Sequence, residues 1–192
     1  MSVRTEAAPH VDEWVWLRRA VLVLVRPREV LEGLRDDSDP AARARSEAVL
    51  ALVLLGGIGS VLWTPVAQGL MDVDGAHAED GVDVALWAFL GGALNGVGAY
   101  FVGGFVLYAL ARVVGGITYR QARHLLAFAA APIALSLFVL WPVRLAVYGE
   151  ALFRSGGSDR GLGNAAFVAV GLAFAVWSLV LLGVGARILL RR

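Results

Sequence analysis

The side chains that could perform acid–base or metal chemistry are few in this sequence and lie far apart. The histidines are His10, His77 and His124, and the chain has no cysteine. A phosphate-binding glycine loop, an HExxH zinc motif and a GxSxG nucleophile motif are all absent. The aspartates lie outside the long apolar segments, which argues against an intramembrane aspartyl protease. These residues therefore predict no enzyme, no cofactor and no metal site.

An acidic stretch in the middle of the chain resembles a calcium-binding loop in part. Asp72, Asp74 and Asp83 occupy the first, third and twelfth positions of an EF-hand loop. Ala76 and His77 stand at the fifth and sixth positions, where a ligand and a glycine are required. The flanking segments are also long and apolar. We therefore interpret this stretch as a loop outside the membrane that simply lacks arginine.

Four long apolar segments dominate the rest of the chain, which is 58% hydrophobic. A soluble helix keeps a polar face toward water, and these segments have none. Each is long enough to cross a hydrocarbon core of about 30 Å as a helix. The sequence therefore predicts an all-α, polytopic transmembrane helical bundle of about four spans, with residues 48–192 as the transmembrane domain. The predicted spans are residues 48–67, 84–111, 125–148 and 165–190.

Residues 1–47 form a cytoplasmic amphipathic N-terminal region that is rich in both acidic and basic residues. Asp12 can cap a helix over residues 13–25, which would be about 20 Å long and too short to cross the membrane. One interpretation is a helix lying along the membrane interface. The other is an amphipathic hairpin packed on the membrane domain. In both, Pro27 begins a second helix that residues 36–40 end.

The distribution of arginine sets the expected orientation of the spans. With the N-terminus inside, fourteen arginines lie on the cytoplasmic side, and only Arg154 and Arg160 lie in outside loops. All basic residues are arginine, which points weakly to a GC-rich bacterial genome. We therefore expect a multi-pass protein of the bacterial inner (cell) membrane, with both termini cytoplasmic. Residues 112–123 are interpreted as a short basic loop on the cytoplasmic side.

Arg144 is the charged residue that the pattern places within a span, near the outer end of the third one. An arginine at the centre of a span costs about 2.5–3.5 kcal/mol on insertion. Near the end, next to Trp141, its side chain can snorkel to the headgroups, and we favour this interpretation over a functional role. Pro132 and Pro142 are expected to kink the same span.

Asn95 is the amide that lies deep within a predicted span. It sits between Gly92 and Gly96, a small-xxx-small step that lets helix backbones approach closely. We expect these three residues to pack against another helix, with internal packing favoured over self-association in a homo-oligomer. Gly56 and Gly57 suggest that the first span also packs tightly.

Three segments resemble one known family. A proline-led amphipathic segment covers residues 26–37, a proline-broken helix covers residues 117–132, and a tryptophan-led late helix covers residues 177–187. Together they resemble the Yip family in its prokaryotic form, multi-spanning membrane proteins whose eukaryotic members interact with Rab GTPases. The matching residues are Pro27, Tyr119, Arg120, Gln121, Phe128, Pro132 and Trp177.

This resemblance implies a multi-spanning fold and a non-enzymatic function, and it carries no mechanism. The family usually has five spans, so either the last span is missing or the count of four is wrong, for example because residues 13–25 also cross. Bacteria lack Rab-dependent vesicle traffic, so that role does not transfer.

We therefore expect a scaffold, adaptor or accessory subunit that contacts another membrane protein within the lipid bilayer, and no nucleic-acid partner. The alternative is a small transporter or permease component. It would need a polar, water-accessible lining beyond what these residues provide: Asn95, Tyr100, Tyr108 and Ser136.

Reporter fusions test the predicted orientation. A fluorescent protein fused after Arg192 should fluoresce, and alkaline phosphatase inserted within residues 72–83 should be active, because arginine-rich segments remain in the cytoplasm. Exchanging the two reporters supplies the control. A periplasmic C-terminus would contradict the orientation.

Overall fold

The computed structural model describes residues 15–63, 81–149, 152 and 162–191. Within these ranges the regular structure is entirely helical. A 3₁₀ turn, Gly33–Arg35, follows the second helix, and a π-helical segment, Ala99–Gly103, joins the fourth to the fifth. The α-helices are α1 (Val15–Val25), α2 (Pro27–Glu32), α3 (Asp39–Leu62), α4 (Gly81–Gly98), α5 (Gly104–Val114), α6 (Tyr119–Ala129), α7 (Ala131–Tyr148) and α8 (Leu162–Leu190).

Four helical stretches among the described residues are long and apolar enough to cross a membrane. They are Asp39–Leu62, Leu86–Val114, Tyr119–Tyr148 and Leu162–Leu190. This confirms the predicted all-α bundle with four apolar spans. The helix α1 is not among them, and whether it lies along the membrane interface stays a prediction.

Two helix boundaries differ from those expected from hydropathy. The helix α3 begins at Asp39, well before the charge-free segment, because the Ser38 side chain caps it and Pro40 stands in its first turn. The prediction of a basic loop over residues 112–123 was wrong. Arg112 lies on α5, both Arg120 and Arg123 lie on α6, and residues 115–118 alone connect the two helices.

The two prolines of the third span differ in their effect. The helices α6 and α7 separate at Ala130, and Pro132 stands in the first turn of α7, where its missing N–H is tolerated. The helix α7 continues through Pro142. The third span is therefore interrupted near its middle by a single non-helical residue and remains one membrane-crossing stretch.

The helices α3 and α8 organise the bundle. The helix α3 packs against α1, α4, α6 and α7, whereas α8 packs against α2, α5, α6 and α7. Leu31, Leu34, Leu52, Leu125 and Phe128 form part of the shared core, in which each is at most 3% exposed. The short N-terminal helices therefore belong to the same packed body as the spans.

One end of the bundle collects most of the described arginines, and we call it the arginine-rich end. It contains the segment before α3, the α5–α6 connection and the C-terminus of α8. Arg35 joins two of these parts, because its Nε and Nη2 donate to Ile188 O at 3.2 and 2.8 Å and its Nη2 donates to Arg191 O at 2.6 Å. The segment before α3 and the end of α8 thus lie at the same end, as an even number of spans requires.

The contact between α3 and α4 is made largely by glycine. A Cβ added to Gly92 would lie 2.5 Å from Ile58 Cα, and one added to Gly57 would lie 2.7 Å from Gly96 Cα. Asn95 Nδ2 donates to Ser60 Oγ at 2.7 Å. The face that carries the small-xxx-small step therefore packs inside the molecule against α3, with the amide bonded across the contact.

Replacing Gly96 by leucine should disrupt this contact, because the new Cβ would overlap the Val53 carbonyl oxygen. Such overpacking typically costs about 1–3 kcal/mol. We expect a lower yield of monodisperse protein in size-exclusion chromatography and a lower apparent Tm. The control is Ala109→Leu, which introduces the same leucine side chain at an exposed position of α5. Equal behaviour of the two variants would mean that α3 and α4 do not meet here.

Candidate functional site

The start of α6 positions the most polar group of side chains in the described structure. Gly116 adopts a φ of 77°, a left-handed conformation that glycine allows without strain, and this turns the chain between α5 and α6. Thr118 and Gln121 then form a capping box. Thr118 Oγ1 accepts from Gln121 N at 3.1 Å, and Gln121 Oε1 accepts from Thr118 N at 3.0 Å. The first turn of α6 is thereby fixed.

Arg120 lies in that turn and bonds two aspartates at the start of α3, namely Asp37, which precedes the helix, and Asp39, its first residue. Its Nε donates to Asp37 Oδ1 at 2.7 Å, and its Nη1 donates to Asp39 Oδ1 at 2.6 Å. Its Nη2 donates to the backbone carbonyl of Asp37. Thr118 Oγ1 donates to the other carboxylate oxygen of Asp37 at 2.7 Å. Charge-assisted bonds of this kind are stronger than neutral ones, and here they join segments about eighty residues apart.

The carbonyl oxygens of residues 33–36 are bonded by two further side chains. Gln121 Nε2 donates to the carbonyl oxygens of Leu34 and Arg35 at 3.1 and 3.3 Å. Arg45 Nη1 donates to that of Gly33 at 2.7 Å, and Arg45 Nη2 donates to that of Asp36 at 2.9 Å. A short helix leaves its last carbonyls without partners, and these two side chains supply them. The turn that carries Asp37 is therefore held from both sides.

Asp36 stabilises the same turn from its outer side. Its Oδ1 accepts from Ser38 N at 3.0 Å. This backbone hydrogen bond is the main reason that the pKa of Asp36 lies below its usual value. A lowered pKa means that the ionised carboxylate stabilises the folded state above its unfolded pKa. That contribution is lost as the pH falls through the folded pKa.

Tyr119 and Arg123 connect α6 to the π-helical segment Ala99–Gly103. Tyr119 Oη donates to Phe101 O at 2.9 Å. The Arg123 guanidinium lies over the rings of Tyr100, Phe101 and Tyr119, with centroid distances of 5.2, 5.1 and 4.5 Å. Consecutive side chains of α6 thus reach different neighbours: Tyr119 the π segment, Arg120 the aspartates, and Gln121 the 3₁₀ turn.

His124 lies beneath this group and is 7% exposed. Its Nδ1 has no hydrogen-bond partner among the described residues, and the other two histidines, His10 and His77, lie outside the described residues. No group of three or more potential metal ligands occurs within the described ranges. Both aspartates of the cluster already accept bonds from Arg120. These bonds hold the start of α6 against the start of α3.

The expectation that Arg144 snorkels to the headgroups was wrong. Arg144 is only 5% exposed. Its guanidinium lies 5.4 Å from the ring centroid of Trp63 and 5.3 Å from that of Trp141. Its Nη2 donates to Asn164 Oδ1 at 3.4 Å. Two indole faces and an amide thus surround the charge inside the bundle, at the end opposite the arginine-rich one. Residues 72–80 of the expected acidic loop lie outside the described residues, whereas residues 81–83 belong to the first turn of α4 and not to a loop.

The remaining residues of the family-like set occupy structural positions. Pro27 is the first residue of α2, and Phe128 is buried in the core at 1% exposure. Pro132 begins α7, as described above. Trp177 is 49% exposed on the outer surface of α8, far along the chain from the polar cluster.

Several residues of the cluster were not identified from the sequence. Thr118 stands three residues before Gln121, which the family resemblance had already named, so the capping-box spacing was an available signal for Thr118. Asp37 was read only as part of a run that ends a helix, and nothing local distinguishes it from its acidic neighbours. Arg45 and Arg123 likewise looked like ordinary surface charges before a span and in a loop.

Comparisons with known proteins give one family match. A family model described as the Yip1 domain matches residues 21–192, which is most of the chain. No curated protein matches significantly. No solved structure matches significantly either.

Arg120→Gln tests the contribution of the cluster to stability. The substitution removes the bonds to both aspartates, and we expect an apparent Tm about 4–8 °C lower than that of the parent. Arg43→Gln is the control, because Arg43 is exposed on α3. Thermal unfolding of both purified variants in one detergent is the measurement. A Tm for Arg120→Gln equal to that of the control would contradict the stabilising role of the cluster.

Proposed function

This chain belongs to the Yip1 domain family, and from that premise we propose that it is a non-enzymatic scaffold or adaptor that binds another membrane protein. The observation that supports this most is the docking of residues 26–38 onto the bundle. We call this segment, α2 and the turn after it, the N-terminal platform. Its Leu31 and Leu34 are fully buried, and its turn is bonded by Arg120, Gln121 and Arg45.

The N-terminal platform presents a charged outer surface. Arg28, Glu29 and Glu32 are exposed on α2, whereas its apolar residues point into the core. A surface that is already rigid loses little conformational entropy when a partner binds, which favours affinity. These features support a recognition surface at the arginine-rich end of the bundle.

We further propose that this surface faces the cytoplasm of a bacterial cell, with the bundle in the inner membrane. The support is the excess of arginine at this end, together with the positive-inside rule. The segment before α3 and the end of α8 share that end, so one orientation accounts for both. The proposed partner is then a membrane protein with a cytoplasmic segment near the headgroups.

A small transporter or permease component is the alternative. A cavity of about 230 Å³ lies among α3, α4, α6, α7 and α8. Its polar side chains are few, and Asn95 is already bonded to Ser60. Tyr100 and Ser178 add two hydroxyl groups to the lining, and the rest of the wall is formed by apolar side chains and glycine. A hydrated path for a polar solute requires more hydrogen-bonding groups than this, so the cavity gives little support to transport.

Site-specific photo-crosslinking tests the proposed function. A photoreactive amino acid at Glu29, on the outer surface of the N-terminal platform, should form an adduct with a membrane protein in the native host. The control position is Val113, which is 87% exposed on α5 and lies near the arginine-rich end of the bundle. The adduct should weaken when Arg120→Gln is added, because the platform is no longer held, and should persist with Arg43→Gln.

Two results would contradict the scaffold proposal. One is the absence of any protein adduct at Glu29 in membranes that contain the folded protein. The other is an adduct that forms equally at Val113 and is unaffected by Arg120→Gln. Uptake or efflux of a solute that depends on Asn95 would instead favour the transport alternative.

A further inference from the structure

Four arginines surround one cleft at the arginine-rich end. The cleft has a volume of about 340 Å³ and lies between α2 with its following turn and the last turns of α8. We call it the arginine cleft. The basic residues that line it are Arg28, Arg35, Arg187 and Arg191, and Glu32 is the acidic residue of the lining.

Helical spacing places these side chains on two facing surfaces. Arg28 lies on α2, and Arg35 lies seven residues further along, in the 3₁₀ turn. Arg187 lies in the last turn of α8, and Arg191 directly follows the end of that helix, four residues later. The two surfaces meet because α2 packs against α8. The charge is therefore concentrated in one place by the fold, although the sequence distributes it over both ends of the chain.

Capping of the C-terminus of α8 does not account for all four arginines of the cleft. Basic residues are common at the C-terminus of a helix, where they bond its last carbonyls. Here Arg35 already donates to the carbonyls of Ile188 and Arg191. The side chains of Arg187 and Arg191 make no hydrogen bond with any described residue, so they are available to a ligand.

Glu32, the acidic residue of the lining, forms no ion pair with these arginines among the described residues. Within the part of the chain that the structure describes, ion pairs join Arg26 to Glu29 and Arg120 to its two aspartates. None involves Arg28, Arg187 or Arg191. Several guanidinium groups around one space repel one another, and an anion that bonds them would relieve that repulsion. Phosphate suits them because guanidinium bonds its oxygens in a bidentate way.

The position of the cleft along α8 indicates what carries the phosphate. The helix has 29 residues, which corresponds to about 43 Å, whereas the hydrocarbon core is about 30 Å thick. Its last turn therefore lies at the level of the headgroups. Leu179 and Val180, two turns earlier, are 67% and 55% exposed and offer an apolar surface to an acyl chain.

We propose that the arginine cleft binds the phosphate of an anionic phospholipid headgroup. The acyl chains of the lipid lie along the apolar surface of α8, and the headgroup bridges α2 and α8. Basic pockets between membrane helices bind lipid headgroups in this way. The proposal goes beyond the scaffold function and does not depend on the identity of a protein partner.

Lipid titration of the whole purified chain in a neutral detergent tests this proposal. Phosphatidylglycerol should raise the apparent Tm and remain bound in native mass spectra, whereas phosphatidylcholine should do neither. Inorganic phosphate at the same concentration should have no effect, because it lacks the acyl chains. Arg187→Gln with Arg191→Gln should weaken phosphatidylglycerol binding roughly tenfold. The control with the same loss of charge is Arg18→Gln with Arg43→Gln, which should bind like the parent.

The outcomes separate the possible sources of the phosphate. Equal effects of phosphatidylglycerol and phosphatidylcholine on the parent would overturn the proposal. Protection by inorganic phosphate equal to that by the lipid would also overturn it, in favour of a soluble ligand. If Arg187→Gln with Arg191→Gln does not fold, Arg187→Lys with Arg191→Lys replaces it, because lysine keeps the charge. The preference of the parent for phosphatidylglycerol over phosphatidylcholine still decides whether the proposal holds. If Arg18→Gln with Arg43→Gln weakened phosphatidylglycerol binding equally, the effect would come from net charge alone. That result would contradict specific binding in the arginine cleft.

Discussion

The bonds between Arg120 and Asp37 are the interaction on which the arginine-rich end depends. They connect the first turn of α6 to the turn before α3, two segments that are far apart in the chain. A half-buried ion pair contributes stability only when its geometry is good and its remaining polar atoms are bonded. Here Thr118 bonds the second oxygen of Asp37, and Asp39 bonds a further nitrogen of Arg120.

This interaction determines more than the position of one turn. Because residues 33–36 are held, Leu31 and Leu34 can remain in the core, and Arg35 can reach the end of α8. The N-terminal platform and the arginine cleft are thus two surfaces of the same fixed segment. The glycine contact between α3 and α4 is a separate constraint, which shapes the spans without involving the polar cluster.

The sequence was informative where a signal is local. Charge-free segments located the spans because hydropathy requires no partner, and Gly92, Asn95 and Gly96 were identified by their spacing. The structure places all three against α3. The partners of Arg120 were not predictable, because no spacing rule links it to aspartates about eighty residues away. Arg144 was misjudged for the same reason, since Trp63 reaches it from another helix.

A double-mutant cycle on Asp37→Asn and Arg120→Gln tests most directly whether the two side chains act as one unit. Stability of the parent, both single variants and the double variant would be measured in one detergent. The account predicts that the second substitution costs little once the first is present, so that the double variant loses less stability than the sum of the two single losses. Additive losses, with a coupling free energy near zero, would mean that the interaction does not hold the N-terminal platform on the bundle.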